Sequence, residues 1–297
     1  MSEPENQSPP PPVVSGVPTE IASGVYVVPD GRVPLVPNVG IVLGDDKVLV
    51  VDTAMGPRNG ARIRAFAEEL AGDRPLILTI THFHPEHGFG AQEFSDTAIV
   101  YNRAQADELR EKGSGYLEMF RTFGDTVAAE LEGVELVEPT ESYDGAVHEL
   151  DLGGRTAELR TWGLAHTRSD QVVFLPEERV LFTGDLVEER CFAIFPYFPP
   201  DDIDVDGEKW IAVLHELEAL EPLVVVPGHG APGGASVIRD AREYITLLRD
   251  ETRRLKAEGV DVDAAVEQLD TSMRELHPDW VQPEWIGFGV RHFYAAD

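Results

Sequence analysis

The segment of residues 81–88 constrains this chain more than any other part of its sequence. It reads Thr-His-Phe-His-Pro-Glu-His-Gly, so three histidines and one carboxylate fall within six residues. The apolar run 76–80 precedes it and is short enough to be a buried strand. The segment therefore begins at the C-terminal end of a strand, where α/β folds place their functional sites. Neutral imidazole and carboxylate are ligands that zinc and similar cations prefer, so the segment predicts a metal site.

The histidine spacing also has an ordinary explanation. With 9 histidines among 297 residues, an H-x-H-x-x-H pattern arises by chance in roughly one per cent of such chains. A histidine taken alone is more often a partly buried polar residue than a metal ligand. The metal interpretation therefore depends on further ligand-type residues elsewhere in the chain.

Apolar runs and amphipathic stretches indicate the order of secondary structure. Helices are predicted over 57–71, in two stretches after residue 101, and over 205–220, 235–257 and 262–276, before an aromatic C-terminal tail. Strands are predicted at 25–28, 39–43, 48–51, 76–80, 98–101, 134–137, 146–152, 155–161, 171–175, 179–183 and 223–226. This order of strands, helices, strands and helices predicts an α/β fold of two packed mixed sheets with outer helices. Residues 1–18 are predicted to be a disordered, proline-rich tail, and residues 19–297 a single domain.

Further ligand-type residues follow later apolar runs. Asp52 follows the run 48–51, and His166 follows the predicted strand 155–161. Asp185 and His229 each follow another run and have a glycine as a neighbour. Any one of them could be an ordinary turn residue, but independent turns have no reason to share this arrangement. Together they predict one site at the strand ends.

In motif order, residues 20–297 resemble the metallo-β-lactamase superfamily. The segment that holds His82, His84 and His87 is similar to the family's H-x-H-x-D-H motif. The later motif residues have counterparts in Asp52, His166, Asp185 and His229. The resemblance implies a four-layer αβ/βα sandwich with the site along one edge of the two sheets.

The resemblance also implies a dinuclear site, with zinc as the expected metal and iron or manganese as alternatives. The first metal would be held by His82, His84 and His166, and the second by Glu86, His87 and His229. Asp185 would bridge the two metals, and Asp52 would orient the imidazoles from behind, so these two residues are assigned catalytic roles. A hydroxide between two metals is a strong nucleophile at neutral pH and would attack a carbonyl group.

Glu86 is the one departure among the ligand positions, because the family's usual residue there is aspartate. Its carboxylate lies about 1.5 Å further from the backbone, the length of one carbon–carbon bond. Glu86 either reaches the second metal through a shift of the loop, or leaves that position weakly filled or suited to another metal. The alternative is a solvent-facing residue at a helix start.

The acidic composition restricts the partners. The net charge is −30 with a pI near 4.5, which disfavours nucleic acid and anionic membranes as partners. The single cysteine, Cys191, excludes an internal disulfide framework. The N-terminal segment lacks the features of a secretory signal, and no apolar run is long enough to span a bilayer. We therefore expect a soluble cytoplasmic protein.

Two aromatic segments bear on the substrate. The first is the loop 191–200, whose aromatic residues either line the pocket or pack in the core; they are Phe192, Phe195, Tyr197 and Phe198. The second is one helical face, which forms either core, a lid over the site or an oligomer contact such as that of a homodimer; its residues are Tyr116, Phe120, Phe123, Val127 and Leu131. A pocket-lining loop would favour a small, partly apolar substrate.

We therefore expect a metal-dependent hydrolase of an ester, thioester, lactone or β-lactam. One alternative is an iron-dependent oxidoreductase on the same fold, since relatives of this fold use iron for oxygen or sulfur chemistry. Another is a metal-binding protein in which Glu86 has removed most of the catalytic activity. The fold alone does not decide among them.

Overall fold

A computed structural model describes residues 10–296 of the chain. The strands are β1 (Thr19–Ala22), β2 (Val25–Val28), β3 (Val39–Leu43), β4 (Val48–Val51), β5 (Leu76–Thr79), β6 (Ala98–Asn102), β7 (Glu141–Tyr143), β8 (Val147–Asp151), β9 (Thr156–Arg160), β10 (Val172–Leu175), β11 (Val180–Gly184) and β12 (Val224–Pro227). The helices are α1 (Gly56–Ala71), α2 (Pro85–Gly88), α3 (Arg103–Phe120), α4 (Asp125–Glu130), α5 (Gly207–Ala219), α6 (Ser236–Ala257), α7 (Val262–Leu276) and α8 (Glu284–Ala296).

The strands form two mixed sheets. The first has seven strands in the order β1 to β7, antiparallel up to β4 and parallel from β4 to β7. The second has five strands in the order β12-β11-β10-β9-β8, of which only β11 and β12 are parallel. The predicted α/β fold with two packed mixed sheets is therefore confirmed.

Three apolar clusters separate four layers. The central strands β4, β5, β10 and β11 are buried along their whole length, which explains their continuous apolar runs. Residues between the sheets, such as Leu49 and Phe182, form the middle cluster. Ile63 of α1 and Leu109 of α3 belong to the cluster on the outer face of the first sheet, and Trp210 belongs to that outside the second sheet. Helices thus cover both outer faces.

Two predicted segments differ from the structure. Residues 134–137 form no strand, because β7 occupies the place beside β6, and Val134 and Val137 pack against the outer cluster instead. The aromatic tail contains helix α8, whose buried residues Ile286, Val290 and Phe293 recur at helical spacing. Part of the predicted 1–18 tail, residues 1–9, lies outside the described residues.

Two residues of that predicted tail, Pro12 and Val14, contact Asn59 of helix α1. Val14 is buried, and its backbone N–H donates to Asn59 Oδ1 at 2.9 Å. Asn59 Nδ2 in turn donates to the carbonyl of Pro12 at 2.8 Å. Within residues 10–296, no helix combines the length and apolarity that a bilayer crossing requires.

Candidate metal centre

The strand ends bring the predicted ligands to one edge of the two sheets. Asp52 follows β4 and the histidine segment follows the parallel neighbour β5, so both leave the first sheet at the same end. In the second sheet, Asp185 follows β11 and His229 follows its parallel neighbour β12, so these two residues also leave their sheet at the same end. His166 lies in the loop between β9 and β10. All of these side chains are buried, and so is that of Glu86.

The ligand-type residues form two groups that share Asp185. Within each group, one candidate ligand atom from every residue lies within 4.8 Å of the others; the groups are His82, His84, His166 and Asp185, and Glu86, His87, Asp185 and His229. The two oxygens of Asp185 face both groups. Its Oδ1 lies 3.2 Å from His87 Nε2, and its Oδ2 lies 3.8 Å from His82 Nε2 and 3.7 Å from His229 Nε2.

The donor atoms of this centre fit metal ions. Several of them are buried and make no hydrogen bond to any described residue; they are Glu86 Oε2, His87 Nε2, both ring nitrogens of His166 and both oxygens of Asp185. Leaving so many buried polar atoms unpaired is costly, at about 1–3 kcal/mol each. Imidazole nitrogens and carboxylate oxygens are the donor set of zinc and similar cations. The cluster is therefore able to bind metal ions.

Hydrogen bonds behind the site orient two of the imidazoles. His87 Nδ1 lies 2.9 Å from Asp52 Oδ2, and His229 Nδ1 lies 3.0 Å from the carbonyl oxygen of Val36. A carboxylate and a carbonyl only accept, so each histidine donates an Nδ1 proton and turns Nε2 toward the site. Such outer contacts fix the tautomer and raise the basicity of a metal-ligating histidine.

Asp52 joins this support to the start of the histidine segment. Its Oδ1 accepts from the backbone N–H of Thr81 at 2.7 Å, and its Oδ2 accepts from Thr81 Oγ1 at 2.9 Å. Its backbone has a positive φ of 69°, which is uncommon for a residue other than glycine. The buried carboxylate therefore fixes the position of Thr81 as well as the ring of His87.

Burial and neighbouring charges keep the first group of imidazoles neutral. Burial lowers the pKa of His82 well below its usual value, and the nearby rings of His87 and His84 lower it further. Burial likewise lowers the pKa of His84 strongly, and that of His166 to about 4. Neutral imidazole is the form that ligates a metal ion.

The surroundings of Asp185, the carboxylate shared by the two groups, favour its charged form. Burial opposes ionisation of Asp185, but His87 and His229 outweigh it and hold its pKa well below the usual range. Burial also opposes protonation of His87, but Asp185 and Asp52 outweigh it and raise its pKa well above the usual value. The two carboxylates therefore favour a cation at His87, whether a proton or a metal ion.

Glycine 228 makes room for Asp185. A Cβ atom added to Gly228 would lie 1.9 Å from Asp185 Oδ1 and 2.8 Å from the backbone carbon of Gly184. The backbone N–H of Gly228 also donates to the carbonyl oxygen of Gly184 at 3.0 Å. The glycine beside His229 is thus required by the close approach of two strand ends.

An apolar cavity of about 250 Å³ opens onto this centre. Its floor includes His84, Glu86 and His229. Its walls come from loops and from the α3 region; they include Pro34, Leu35, Tyr116, Met119, Phe120, Phe123, Ile194, Pro196, Phe198 and Trp285. Small-molecule sites are typically concave and apolar with a few polar groups, as here.

The aromatic predictions for this pocket need correction. Of the four loop residues, only Phe198 lines the cavity. Phe192 packs on Tyr244, whereas Phe195 packs on Trp210 and Phe293, so both are core residues. Tyr197 is partly buried and packs against the same core. In this extended loop successive side chains point to opposite sides, and those that face the cavity are Ile194, Pro196 and Phe198.

The predicted helical face divides between cavity and core. Tyr116, Phe120 and Phe123 line the cavity, and Tyr116 and Phe120 also belong to the outer cluster of the first sheet. Val127 and Leu131 are buried in the outer cluster of the first sheet, as the core interpretation requires. No residue spacing in the sequence separates these two roles.

Asn38 supports the site but was not singled out in the sequence. Its Nδ2 donates to the carbonyls of Pro227 and Gly230, at 2.9 and 2.7 Å, and so holds the loop of His229 from both sides. Its Oδ1 accepts from the backbone N–H of Asp30 at 3.0 Å. Nothing in the local sequence around residue 38 marks this role.

Glu188 is a further buried carboxylate near the site. Its Oε2 accepts from the backbone N–H of Ile194 at 3.1 Å, whereas its Oε1 has no partner among the described residues. Burial, together with the charge of Asp185, raises the pKa of Glu188 well above its usual value. In the sequence, only the position of Glu188 three residues after Asp185 indicates that it lies near the site.

The chain belongs to the metallo-beta-lactamase superfamily, whose sequence profile matches residues 32–229. It is 23% identical over 261 residues to a linear primary-alkylsulfatase of Pseudomonas sp. (strain ATCC 19151), covering 75% of this chain and 48% of that protein. It is 25% identical over 230 residues to a metallo-beta-lactamase type 2 of Bacteroides fragilis, covering 74% of this chain and 80% of that protein. Superfamily membership and these relatives support an enzyme.

A solved structure has the same fold over nearly the whole chain. The stereoselective inverting sec-alkylsulfatase of Pseudomonas sp. matches with a TM-score of 0.74 and 16% identity, covering 95% of this chain and 50% of that one. The chain therefore spans about half the length of the two alkylsulfatases that it matches. At this identity the likeness shows the fold alone.

Proposed function

We propose that this protein is a metal-dependent hydrolase of a small, partly apolar carbonyl substrate, namely an ester, thioester, lactone or β-lactam. One observation carries the proposal. Two groups of buried ligand atoms share Asp185, and they lie at the floor of an apolar cavity that admits a small molecule. Zinc is the proposed metal because imidazole and carboxylate donors suit it.

When bound, two zinc ions supply Lewis acidity and a nucleophile at neutral pH. The residues of the chain orient the metal-binding histidines and position the substrate. Asp52 and the carbonyl of Val36 fix the tautomers of His87 and His229, so that each Nε2 faces the site. The aromatic walls exclude water from the substrate and turn its reacting group toward the floor, where preorganised charges are more effective than in water.

Metal analysis combined with a substrate panel tests the proposal. Protein purified without added metal is expected to hold about two zinc ions per chain, one for each group. It should also hydrolyse at least one member of an ester, thioester, lactone and β-lactam panel. His84→Ala should lose both metal and activity, whereas His215→Ala, a matched change at an exposed histidine, should keep both.

Other outcomes would contradict this assignment. One iron per chain with oxygen-dependent turnover would support the redox alternative. Full activity in the His84→Ala variant would show that the centre is not the catalytic site. Metal binding without hydrolysis of any panel member would favour the metal-binding alternative.

Glu86 is proposed as a ligand of the second metal. Glu86→Gln keeps the length of the side chain but removes its charge, so the variant should retain one metal and lose most of the second. Glu86→Asp should retain partial affinity for the second metal, since it restores the residue usual in the family with a shorter reach. Unchanged metal content and turnover in Glu86→Gln would exclude Glu86 as a ligand.

Hydrolysis of alkyl sulfate esters is the second candidate function. The similarity to a linear primary-alkylsulfatase favours it, since the match covers 75% of this chain and 48% of that protein. A sulfate ester is an anion, so this candidate requires a site that accepts negative charge. Including alkyl sulfates in the substrate panel distinguishes the two functions directly.

A further inference from the structure

The charges around the apolar cavity indicate which substrates it accepts. No arginine or lysine of the described chain lines this cavity. Apart from the three floor residues, its ionisable lining residues are Tyr116, Asp202 and Glu284. The walls therefore offer no cation to an anionic substrate.

Lys112 contacts the wall residue Asp202 and is already paired. Lys112 Nζ lies 3.0 Å from both oxygens of Asp202, 2.9 Å from Asp204 and 3.2 Å from Glu108. Tyr116 also donates its hydroxyl proton to Asp202 Oδ2 at 2.8 Å. The charge of Lys112 is thus shared among three carboxylates, so this lysine is already paired within the wall.

Glu284 is the other acidic residue in these walls. It forms no salt bridge with any arginine or lysine between residues 10 and 296. It also borders a second, more polar cavity of about 490 Å³, which meets the first at His229. The two arginines of that cavity, Arg32 and Arg190, both pair with Glu189. These two arginines share one carboxylate, so it is only the walls of the apolar cavity that offer no cation.

Gln282 stands between the two cavities and lines both. Its amide oxygen is buried and has no hydrogen-bond partner in the described part of the chain. Its backbone has a positive φ of 60°, a conformation that is energetically costly for a residue other than glycine. Gln282 is thus a strained residue beside His229 with an unpaired buried acceptor. A donor group of a ligand would satisfy that acceptor.

We propose that the substrate is a compact apolar ester or lactone that is neutral or cationic and carries an N–H or O–H donor. This inference rests on the proposed function and specifies its substrate class. The donor group binds at Gln282 and Glu284, while the apolar part occupies the cavity between Leu35, Phe120 and Trp285. Anionic substrates such as alkyl sulfates are disfavoured, because the walls of this cavity offer no cation and include Glu284.

Binding of three matched probes tests this inference without depending on turnover. The probes are 3-phenylpropylamine, 3-phenylpropanol and 3-phenylpropanoate, which share one carbon skeleton and differ in charge. Calorimetry measures their affinity for the full-chain protein of known metal content. Glu284→Gln should weaken the ammonium probe by up to about fivefold, the upper end of the range for an exposed ion pair, and should strengthen the carboxylate probe. The alcohol probe should be weakened less than the ammonium probe, because its O–H loses a charged acceptor but no ion pair.

A second variant and a control complete the test. Gln282→Met removes the acceptor but keeps the length of the side chain, so it should weaken both donor probes and leave the carboxylate probe unchanged. Glu275→Gln removes a charge from an exposed position that borders neither cavity and should alter none of the three.

The inference is overturned if Glu284→Gln leaves all three affinities unchanged, or if the wild-type protein hydrolyses alkyl sulfates better than neutral esters. If no ester or lactone is hydrolysed but the ammonium probe responds to Glu284→Gln as expected, the proposed reaction fails while the charge selectivity stands. The two results are therefore distinguishable.

Discussion

Replacement of Asp52 by asparagine is expected to weaken metal binding without unfolding the protein. Both oxygens of Asp52 accept from N–H donors, Oδ1 from the backbone of Thr81 and Oδ2 from His87 Nδ1. An asparagine amide has only one oxygen, so either orientation directs its NH₂ group at one of these donors. If it faces Thr81, the start of the histidine segment shifts. If it faces His87, the imidazole must move its proton to Nε2, which then cannot ligate a metal.

The magnitude follows from the hydrogen bond that is lost. A hydrogen bond to a charged group contributes about 1.5–3 kcal/mol, and outer-shell changes of this kind reduce metal affinity by about 10–100-fold. These two figures agree, because a factor of ten corresponds to about 1.4 kcal/mol. Asp52→Asn should therefore bind zinc at the second group about 10–100-fold more weakly than the wild-type protein does.

Competition with a chromophoric chelator measures the zinc affinity, and circular dichroism checks that the variant remains folded. Asp73→Asn, at an exposed position far from the hydrogen bonds of the site, is the matched control and should bind as the wild type does. A folded Asp52→Asn protein with unchanged zinc affinity would refute the role assigned to Asp52.

Three further predictions follow from the buried charges and close contacts. Removing metal with a chelator should lower the melting temperature, because a ligand at 100 times its Kd contributes about 2.7 kcal/mol to stability; an unchanged melting curve would contradict bound metal. Gly228→Ala should reduce metal content strongly, since its Cβ would lie 1.9 Å from Asp185 Oδ1. Gly234→Ala, where an added Cβ has room, is the control, and elemental analysis measures the metal content of both variants. Burial raises the pKa of Asp170 to about 8. The stability that its protonated side chain contributes is therefore fully present below about pH 4 and is lost as the pH rises toward 8. Asp170→Asn should therefore flatten the fall in melting temperature between pH 5 and 8, which scanning fluorimetry would detect.

The layered fold and the ligand positions could be predicted because local patterns carry them. A run such as Val48–Val51 is apolar along its whole length only because both faces of the sheet are covered, and this pattern is visible without any partner. The ligands directly follow such runs, so the strand ends bring them together. The segment 134–137 is apolar apart from Glu135 and was predicted as a strand, but β7 takes the place beside β6, a competition that no single segment reveals.

The cavity could not be predicted in the same way, because its walls come from separate parts of the chain. Leu35, Phe120, Phe198 and Trp285 meet only after the outer helices pack. The aromatic loop was recognisable from its composition, but the side that faces the site depends on tertiary neighbours. Phe195 turns toward Trp210 and away from the cavity for this reason.

Glu86 bears most directly on the number of metals. Pro85 begins helix α2, and the backbone N–H groups of His87 and Gly88 both donate to the carbonyl of His84, so the segment turns at once after that residue. This turn places Glu86 among the ligand atoms of the second group, not in solvent, and the added methylene does not prevent its reach. Burial raises the pKa of Glu86, and its Oε2 has no partner among the described residues. Without a cation, such a carboxylate is a destabilising group in the middle of the site, whereas a second metal ion would satisfy it. The longer side chain at this position therefore favours two metal ions over one.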